Sequence, residues 1–326
     1  MTDAISPIAA IVLAAGKGTR MKSARHKVLH EIAGRPMIEH LLASLAELAP
    51  AQTVVVVGNG REQLQAQLGK RAELVVQEPQ LGTGHAVQQA EGALGGFDGD
   101  VLVLYGDVPF VTADTMRAMI ERLHESDAPE AVVLGFEPDD ALQYGRVIAE
   151  DGRIAKMVEF KDASEEERAC RLCNSGLLAA RGAALFELLG KVGNDNAQGE
   201  YYLPDIVNIA IAEGRNCAVI TTADPDEVAG INSRGELAAA EARWQAVRRE
   251  QAMADGATLT APETVFFSFD TQLGCDVTVE PNVVFGPGVS VADNVTIRAF
   301  SHLEGATLAE DVVIGPYARL RPGSVL

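Results

Sequence analysis

The sequence predicts an α/β domain with a mostly parallel sheet, followed by the first coils of a parallel β-helix. Up to about residue 230, apolar runs rich in β-branched residues alternate with amphipathic stretches of helical length, as they do in layered α/β domains. Beyond about Leu273, apolar residues recur at every sixth position instead, which is the period of hexapeptide β-helix repeats. We therefore expect a first domain over 1–232, a connecting long helix over 233–256 and a β-helix over 257–326.

The composition excludes several classes of protein. Of the 326 residues, 47% are apolar and 22% are charged, which is typical of a globular protein with a substantial core. A formal net charge of −19 argues against nucleic-acid binding, which requires broad basic surfaces. The sequence shows no signal peptide and no apolar run of membrane-spanning length. One Cys-x-x-Cys pair, Cys170 and Cys173, is too little for a zinc site, so we expect a cytoplasmic protein with reduced thiols.

The first 230 residues contain recognisable strands and helices. Near-continuous apolar runs predict buried strands at Ile8–Leu13, Thr53–Gly58, Asp100–Tyr105 and Ala131–Phe136. Amphipathic stretches predict helices at Pro36–Leu48, Thr112–Glu125 and Pro204–Glu213, with each proline suited to a first helical turn. Ligands of such sheets bind outside the carboxyl ends of the strands, so the loops at those ends are the first candidates for a site.

The later part of the chain is more regular. A polar, alanine-rich segment from Glu236 to Asp255 predicts one long helix with Trp244 packed on its inner face. The repeat predicts that its apolar residues stack inside a coil, and these are Leu273, Val279, Phe285, Val291, Ile297 and Leu303, then Leu308, Ile314 and Leu320 after a one-residue slip. Because the repeat runs to Ser324-Val325-Leu326 without a capping segment, we expect this chain to be part of a longer protein.

The first strand runs into a glycine-rich loop that matches neither of two common phosphate-binding motifs. A Walker A loop would have glycine at position 11 and Ser or Thr at position 18, where this chain has Ile11 and Gly18. A dinucleotide fingerprint would have its third glycine at the position of Met21. A kinase or a dehydrogenase is therefore disfavoured. Glycine-rich turns are often purely structural, but Arg20 and Lys27 just downstream favour a phosphate-binding role.

Two further loops carry polar residues suited to ligands. Gln77 opens a second glycine-rich turn, and its amide together with free backbone groups suits recognition of a pyrimidine. In the same turn we expect His85 to serve packing or helix entry rather than proton transfer. Asp107 follows the strand that ends at Tyr105, and a carboxylate beside phosphorylated substrates is favourable when it binds a cation. Asp107 is therefore the natural metal ligand, with a turn-forming aspartate as the alternative.

The first loop resembles the signature of sugar nucleotidyltransferases, in the motif Leu13-Ala14-Ala15-Gly16-x-Gly18-Thr19-Arg20-Met21 followed by Lys27-Val28-Leu29. The resemblance implies contacts with the nucleotide base from Leu13, Ala14 and Gly16. It implies that the catalytic residues Arg20 and Lys27 hold phosphates, and that Gln77, Gly82 and Thr83 contact uracil and ribose. It also implies that Mg²⁺ is held by Asp107 together with Asn232. The family usually has proline where this chain has His26, a departure that could alter the loop's path but leaves the charge of the following lysine in place.

Four further segments resemble the uridyltransferase domain of the bifunctional GlmU family, namely Tyr144-Gly145-Arg146, Val158–Asp162, Cys173–Gly176 and Asn196–Leu203. The resemblance implies that Gly145, Glu159 and Asn174 bind an N-acetylglucosamine group and that Tyr105 and Tyr202 are further substrate-binding residues. Pro204 stands where many members have threonine, so any sugar contact from that hydroxyl is absent. The similarity covers nearly the whole chain. It implies a Rossmann-like nucleotide-diphospho-sugar transferase domain followed by the first coils of a left-handed parallel β-helix.

The resemblance implies a uridyltransferase that forms UDP-N-acetylglucosamine and pyrophosphate from UTP and N-acetylglucosamine 1-phosphate, by direct Mg²⁺-assisted displacement at the α-phosphorus. The product would enter cell-wall biosynthesis. Two alternatives stay open: a non-catalytic sugar-nucleotide-binding or assembly subunit that kept the fold, and a nucleotidyltransferase for another sugar 1-phosphate. Retention of the phosphate-binding and metal-binding residues together favours an enzyme.

The β-helix suggests a second activity and an assembly. Members of the family also acetylate glucosamine 1-phosphate at a site in the later coils, and Leu273–Leu326 forms only the first coils. We therefore expect no acetyltransferase activity from this chain. The full-length family is expected to form homotrimers, and whether these coils suffice for a trimer stays open.

Overall fold

The structure is a computed structural model that describes residues 6–94, 96–141 and 143–326. The chain divides into two compact units. The first comprises the chain up to Leu29 together with Met37–Gly230, and the second comprises His30–Pro36 together with Ile231–Leu326. Nothing in the local sequence predicts that His30–Pro36 joins the later part of the chain. The division into domains over 1–232, 233–256 and 257–326 stays a prediction.

The elements that precede residue 230 are short and closely spaced. In chain order the strands are β1 (Ile8–Ala14), β2 (Glu31–Ile32), β3 (Arg35–Pro36), β4 (Gln52–Val57), β5 (Glu73–Val76), β6 (Asp100–Tyr105), β7 (Ala131–Phe136), β8 (Arg146–Glu150), β9 (Arg153–Val158), β10 (Cys173–Arg181) and β11 (Cys217–Thr221). The α-helices are α1 (Met37–Ala46), α2 (Arg61–Leu68), α3 (Thr83–Gln88), α4 (Ala113–Leu123), α5 (Glu165–Arg168), α6 (Gly182–Leu189) and α7 (Asp205–Ala212). Single 3-10 turns occur at Thr19–Met21, Lys27–Leu29 and Pro225–Val228.

The strands of the first unit form one sheet in the order β5-β4-β1-β6-β10-β7-β11-β9-β8. β1 pairs in parallel with β4 and with β6, and β4 pairs in parallel with β5. The predicted parallel arrangement is therefore confirmed for this half of the sheet. In the other half, β10 runs antiparallel to both β6 and β7, and β8 and β9 form an antiparallel pair. The sequence did not predict β10, because its polar start and two alanines do not form a continuous apolar run.

The central strands are buried on both faces of the sheet. Successive residues of β1 contact two different clusters of apolar side chains, one on each face of the sheet, with Ile11 in one cluster and Val12 in the other. Both of these residues have 0% of their surface exposed. A strand covered on both faces needs apolar residues at every position, which is why the predicted strands appear as continuous runs rather than alternating ones.

The predicted helices are present, with one correction at a boundary. Pro36 does not open a helix: it lies in strand β3, and helix α1 begins at Met37. Pro204 does precede helix α7, and its backbone angles, φ −57° and ψ −20°, are already helical. Thr112 caps helix α4 by accepting a hydrogen bond from the Thr115 amide. Within the described residues, no helix has both the length and the apolar character needed to cross a membrane.

The second unit contains the predicted long helix, α8 (Arg234–Ala254). The helix starts two residues earlier than predicted, because Ser233 and Glu236 form a reciprocal capping box at its first turn. Trp244 packs against the apolar cluster of this unit, as predicted. The β2–β3 hairpin also belongs here: the Ala33 amide donates to Glu241 Oε2 on α8 at 2.6 Å, and the Ala33 carbonyl accepts from the Phe269 amide at 2.9 Å.

The six-residue repeat forms a three-faced parallel β-helix built of two-residue strands. In chain order the strands are β12 (Thr258–Leu259), β13 (Gln272–Leu273), β14 (Thr278–Val279), β15 (Val284–Phe285), β16 (Ser290–Val291), β17 (Thr296–Ile297), β18 (His302–Leu303), β19 (Thr307–Leu308), β20 (Val313–Ile314) and β21 (Arg319–Leu320). They stack as β12-β14-β17-β20, β13-β16-β19 and β15-β18-β21. Every predicted inward position is the second residue of a strand, and these residues pack in one apolar cluster. The predicted coil and its one-residue slip are confirmed.

Candidate active site

The carboxyl ends of β1, β4 and β6 surround a cavity of about 1130 Å³ in the first unit. The chain passes from β1 to β4 on one side of β1 and returns to β6 on the other side, so the connections diverge at this edge. Such a point leaves a crevice between the outgoing loops. The cavity is lined by the loop after β1, by Gly58–Glu62 after β4, by the loop after β5 and by Asp107 after β6.

The structure brings most of the predicted site residues together in this cavity and a neighbouring one. The residues that line the first cavity are Leu13, Ala14, Gly16, Lys27, Gln77, Gly82, Thr83, Tyr105 and Asp107. A second cavity of about 280 Å³ is lined by Gly145, Glu159, Asn174 and Tyr202 and shares Thr83, Tyr105 and Glu200 with the first. The two cavities are therefore contiguous.

Two predicted site residues lie outside both cavities. Arg20 is exposed in the 3-10 turn that follows the glycine-rich loop and lines neither cavity. Asn232 belongs to the second unit, where its backbone amide donates to Glu236 Oε2 at 2.5 Å. The predicted roles of Arg20 at the phosphates and of Asn232 as a metal ligand stay predictions.

The loop after β1 packs closely against the aliphatic part of the Lys27 side chain at Gly18. Gly18 has a φ of +57°, and a Cβ atom at this position would lie 2.8 Å from the Lys27 Cβ atom. Only glycine combines that backbone conformation with so close an approach. At Gly16, by contrast, a Cβ atom would meet nothing within 4 Å. The loop therefore keeps open space over Gly16 and holds Lys27 against Gly18.

Lys27 points its ammonium group at the carboxylate that ends β6. The Lys27 Nζ atom lies 2.5 Å from Asp107 Oδ2, and the two side chains are 12% and 13% exposed. Asp107 is held at this place because the preceding Gly106 amide donates to the Leu13 carbonyl at 2.9 Å, which joins the end of β6 to the end of β1. The lining of the cavity thus includes one positive and one negative group in direct contact.

The cavity suits a divalent metal ion that is shared with a substrate. Among the described residues, no group of three or more His, Cys, Asp or Glu side chains is placed to hold a metal ion by itself. Mg²⁺ is commonly held in another way, by one or two carboxylates together with substrate phosphates and water. Asp107 lines a cavity that is also lined by Lys17 and Lys27, and it fits that donor set.

The second glycine-rich loop is clamped to the segment that contains Tyr202. Gly82 has a φ of +113°, and a Cβ atom there would lie 2.5 Å from the Tyr201 carbonyl oxygen. The Tyr201 amide donates to the Leu81 carbonyl at 2.8 Å, and the Tyr201 carbonyl accepts from the Gly84 amide at 2.8 Å. Thr83 completes the clamp, since its Oγ1 atom accepts from the Leu203 amide at 3.0 Å. This clamp joins the walls of the two cavities.

Gln77 and His85 interact with each other inside this loop. The Gln77 Nε2 group donates to the Gly82 carbonyl at 2.9 Å and lies 3.2 Å from His85 Nδ1. The other ring nitrogen of His85 lies 3.2 Å from the side-chain nitrogen of Gln89, the residue that follows helix α3. His85 lines neither cavity. Its contacts are those of a residue that packs at the start of α3, which supports the packing role.

Tyr105 forms the wall common to both cavities. Its ring passes over Gly176, where a Cβ atom would lie 2.9 Å from Tyr105 Cε2. Burial raises the pKa of Tyr105 and the nearby Asp107 carboxylate raises it further, while a hydrogen bond with Thr83 opposes both. The hydroxyl therefore stays protonated at neutral pH and can donate a hydrogen bond.

The second cavity contains a carboxylate whose surroundings favour its neutral form. Burial raises the pKa of Glu159, and the charges of Asp205 and Asp162 raise it further. Gly145 faces this group closely: a Cβ atom there would lie 3.3 Å from Glu159 Oε1. A residue larger than glycine at position 145 would therefore fill the space in front of the carboxylate.

Amide and hydroxyl groups complete the second cavity. Strand β10 changes register between Asn174 and Leu178, and within this irregular stretch the Asn174 Oδ1 atom accepts from the Gly176 amide at 2.9 Å. Gln198 Nε2 donates to the Tyr202 hydroxyl at 2.7 Å. Pro204, which departs from the family pattern, also lines this cavity. The cavity thus presents several hydrogen-bonding groups at fixed positions.

Sequence reasoning missed several residues that line the two cavities. Lys17 lies inside the predicted motif but had no role, and Gln80 lies inside the second loop, where its amide donates to the Ala15 carbonyl. Gly58–Glu62 could have been found by the argument that located Asp107, because it also follows directly after a buried strand. Glu200 does not follow a buried strand, and although it lies inside the Asn196–Leu203 segment it was given no role. It reaches both cavities only because the clamp between the loops brings it there.

Comparison with known proteins agrees with this arrangement. The profile of the MobA-like NTP transferase domain matches residues 10–171, and the profile of the bacterial transferase hexapeptide, with six repeats, matches residues 270–305. Among solved structures, a putative glucose-1-phosphate thymidylyltransferase from Bacillus anthracis has a TM-score of 0.58 at 19% identity and covers 72% of this chain and 94% of its own. A UDP-glucose pyrophosphorylase in complex with UDP-glucose has a TM-score of 0.59 at 18% identity and covers 74% of this chain and 100% of its own. At these identities the likeness confirms the fold.

Curated relatives match over nearly the whole chain. A bifunctional protein GlmU from Sphingopyxis alaskensis is 70% identical over 321 residues, which are 98% of this chain and 71% of the relative. A bifunctional protein GlmU from Zymomonas mobilis is 57% identical, and this chain again covers 71% of the relative's length. A third, from Novosphingobium aromaticivorans, is 75% identical over 86% of this chain and 62% of its own length. The predicted resemblance and fold class are confirmed, and the hexapeptide region is present. The chain belongs to the bifunctional GlmU family, and its first unit carries the nucleotidyltransferase domain of that family.

Proposed function

We propose that this chain transfers the uridylyl group of UTP to N-acetylglucosamine 1-phosphate, forming UDP-N-acetylglucosamine and pyrophosphate. The observation that carries the proposal is the pair of contiguous cavities that share Thr83, Tyr105 and Glu200. A nucleotidyltransferase must hold a nucleotide and a sugar phosphate side by side. The larger cavity has room for the nucleotide and the smaller one for a single sugar ring.

The first cavity supports the binding of a pyrimidine nucleotide. Leu13 and Ala14 present apolar surface and backbone at the end of β1, and the open space over Gly16 admits a flat base or a phosphate. Gln77 and Gly82 line the same cavity and add side-chain amide and backbone groups to it. Hydrogen-bonding groups held at fixed positions in a pocket are what base discrimination requires.

The second cavity supports an acetylated amino sugar. Glu159 and Asn174 present a carboxyl and a carboxamide group at fixed positions, and Tyr202 adds a hydroxyl. Sugar hydroxyls and an acetamide need donors and acceptors in such positions, and a wrong sugar leaves buried polar groups unpaired. Burial raises the pKa of Glu159 and so favours its neutral form, and in that form a carboxyl can donate as well as accept a hydrogen bond.

The reaction is a direct displacement at the α-phosphorus of UTP. A phosphate oxygen of N-acetylglucosamine 1-phosphate forms the new P–O bond, the bond from the α-phosphorus to the bridging oxygen breaks, and pyrophosphate leaves with that electron pair. The nucleophile is already anionic, so no side chain has to remove a proton. The work of the chain is to orient two anions and to neutralise their charge. Lys27 and Arg20 are proposed to do this at the phosphates.

Asp107 is proposed to hold Mg²⁺, with Asn232 as the second protein ligand. The bound ion supplies charge stabilisation for the phosphate oxygens of both substrates. Nucleotidyltransferases of this family use a divalent metal ion, and the assignment to magnesium belongs to the proposal. We place the enzyme in the cytoplasm, in the biosynthesis of cell-wall precursors. The absence of acetyltransferase activity stays a prediction, since the hexapeptide region is present in this chain.

The test is pyrophosphate release from UTP in the presence of N-acetylglucosamine 1-phosphate and Mg²⁺. GTP and dTTP, glucose 1-phosphate and a metal-free reaction serve as matched comparisons. We expect release only with UTP, the acetylated sugar and the metal together. Release with another pair would move the substrate assignment, and no release by folded protein would favour a non-catalytic subunit.

A further inference from the structure

The ion pair in the first cavity joins two residues to which the proposed function gives different partners. Lys27 is proposed to hold phosphate and Asp107 to hold the metal ion, yet Lys27 Nζ lies 2.5 Å from Asp107 Oδ2. A divalent ion on the same carboxylate would come within a few ångströms of the ammonium group, and like charges so close together repel strongly. The ammonium and the metal ion therefore compete for Asp107.

The backbones on both sides of the pair are fixed, so the competition is decided by the Lys27 side chain. Asp107 is tied between the Gly106 amide, bound to the Leu13 carbonyl at 2.9 Å, and the Val108 amide, bound to the Tyr105 carbonyl at 3.0 Å. Lys27 begins a 3-10 turn whose other residues are buried. Its ammonium group sits on a flexible four-carbon stem and can move without the backbone.

The pair is also well shielded from water. With side chains only 12% and 13% exposed, it differs from the exposed ion pairs that contribute little. Breaking a poorly solvated ion pair costs free energy whichever partner leaves it. Metal alone must break the contact between Lys27 and Asp107, and phosphate alone must break the same contact. When both bind, each takes one member of the pair.

We infer that Lys27 is the resident counter-ion of Asp107 and that the divalent metal ion must displace it, so that metal and phosphate bind with positive coupling. Lys27 thereby acts as a positioning residue for the metal site as well as a phosphate ligand. The coupling is reciprocal: a phosphate that draws Lys27 away raises the metal affinity by the factor by which the metal raises the phosphate affinity. The inference rests on the proposed function for the phosphate partner, whereas the exchange at Asp107 is independent of the substrate's identity.

The test measures Mn²⁺ binding by electron paramagnetic resonance, without nucleotide or sugar phosphate. We expect Lys27→Gln to bind Mn²⁺ about tenfold more tightly than the unmodified chain, within the usual range of coupling between sites. Lys27→Arg keeps the counter-ion and is expected to keep the weak binding. Lys17→Gln removes another cation from the lining of the same cavity and is expected to change the affinity less than about twofold, because a charge outside the pair is screened by water. Asp107→Asn should bind no Mn²⁺ at this site.

Three outcomes would overturn the inference: equal or weaker Mn²⁺ binding by Lys27→Gln, no binding by either protein, or an equal gain in Lys17→Gln. A second measurement uses the unmodified chain and so does not depend on the folding of a variant. Adding Mg²⁺ should increase several-fold the rate at which an N-hydroxysuccinimide ester acylates Lys27, with Lys17 as internal reference in the mass spectrum. An unchanged rate would also overturn it. If Mn²⁺ binding behaves as expected and pyrophosphate release fails, the proposed function is wrong and the counter-ion inference stands.

Discussion

The two units of this chain bury apolar residues by different means. In the sheet of the first unit, β1 lies between β4 and β6, so neighbouring strands are separated in sequence by helices and loops. In the β-helix of the second unit, each strand pairs with the strand one coil further along, as Val279 does with Ile297 and Ile297 with Ile314. The first unit depends on contacts between distant segments, and the second on a local period.

This difference explains where the candidate site lies. Parallel strands from distant parts of the sequence bring the loops at their carboxyl ends to one edge of the sheet. Polar residues that are far apart along the chain can therefore surround one cavity. A two-residue strand in a coil has no comparable edge, because its neighbours repeat the same pattern. The described cavities are accordingly built from the loops of the first unit. The following changes test this contrast.

The largest effect is expected at the carboxylate of the first cavity. Asp107→Ala should lower the rate of pyrophosphate release by about two to three orders of magnitude, the range for loss of an electrostatic stabiliser. The matched control is Asp276→Asn in the β-helix, an exposed position with a φ of +56° that asparagine tolerates. Steady-state kinetics on both variants checks the prediction. If Asp107→Ala and Asp276→Asn lost pyrophosphate release to a comparable extent, the claim that the first unit alone contains the reacting site would be wrong.

A large effect on stability, without an effect on turnover, is expected in the β-helix. Ile297 is fully buried between Val279 and Ile314, and Ile297→Ala should destabilise the coil by about 2–4 kcal/mol through the cavity it leaves. Hydrogen exchange should quicken in β12–β21, while pyrophosphate release at 25 °C stays within about twofold. Val313→Ala, at a 58% exposed position of the same sheet, is the control. A turnover loss in folded Ile297→Ala would show that the coil supports catalysis.

The two glycine-rich loops should respond differently to an added methyl group. Gly82→Ala should lower stability by about 1–3 kcal/mol, since φ is +113° and the new Cβ atom would lie 2.5 Å from the Tyr201 carbonyl oxygen. Gly16→Ala should leave the melting temperature unchanged, because nothing lies within 4 Å of its Cβ position, yet raise the KM for UTP. Thermal denaturation and kinetics on both variants separate the roles. Equal destabilisation would mean that Gly16 is also a structural glycine.

The smallest effect concerns pH and the second cavity. Folding raises the pKa of Glu159 through burial and then through the charges of Asp205 and Asp162. When the pH rises above the pKa that this carboxyl has in the unfolded chain, the unfolded chain loses the proton first, so Glu159 lowers the free energy of unfolding. Glu159→Gln should therefore raise the melting temperature at pH 7 by a few degrees, on the order of 1–3 °C. The gain should vanish well below pH 4, where the carboxyl is protonated in both states. The same variant should raise the KM for the sugar phosphate.

Calorimetry across pH checks the stability part of that prediction. Asp162→Asn, which removes one of the neighbouring charges that act on Glu159, should give a smaller gain in the same direction. A melting temperature that falls in Glu159→Gln at neutral pH would contradict the assignment of a raised pKa.

The sequence predicted the elements that depend on local patterns. The four buried strands and the coil positions follow from runs and periods that a few residues define. It did not predict β10, which is antiparallel in a largely parallel neighbourhood. It also placed Pro36 in a helix, because proline suits both a first helical turn and the end of a short hairpin strand. Only the pairing of β2 with β3 decides between these.

By itself, the sequence determined the class of each unit, the motif residues and the loops that carry them. The tertiary structure decided which of these residues meet. Lys27 lies against Asp107 because β1 and β6 end side by side, and Glu200 reaches both cavities because Gly82 lets the second loop approach Tyr201. Such meetings depend on distances between segments far apart along the chain. Local propensity carries no information about those distances, and the packing of the whole sheet sets them.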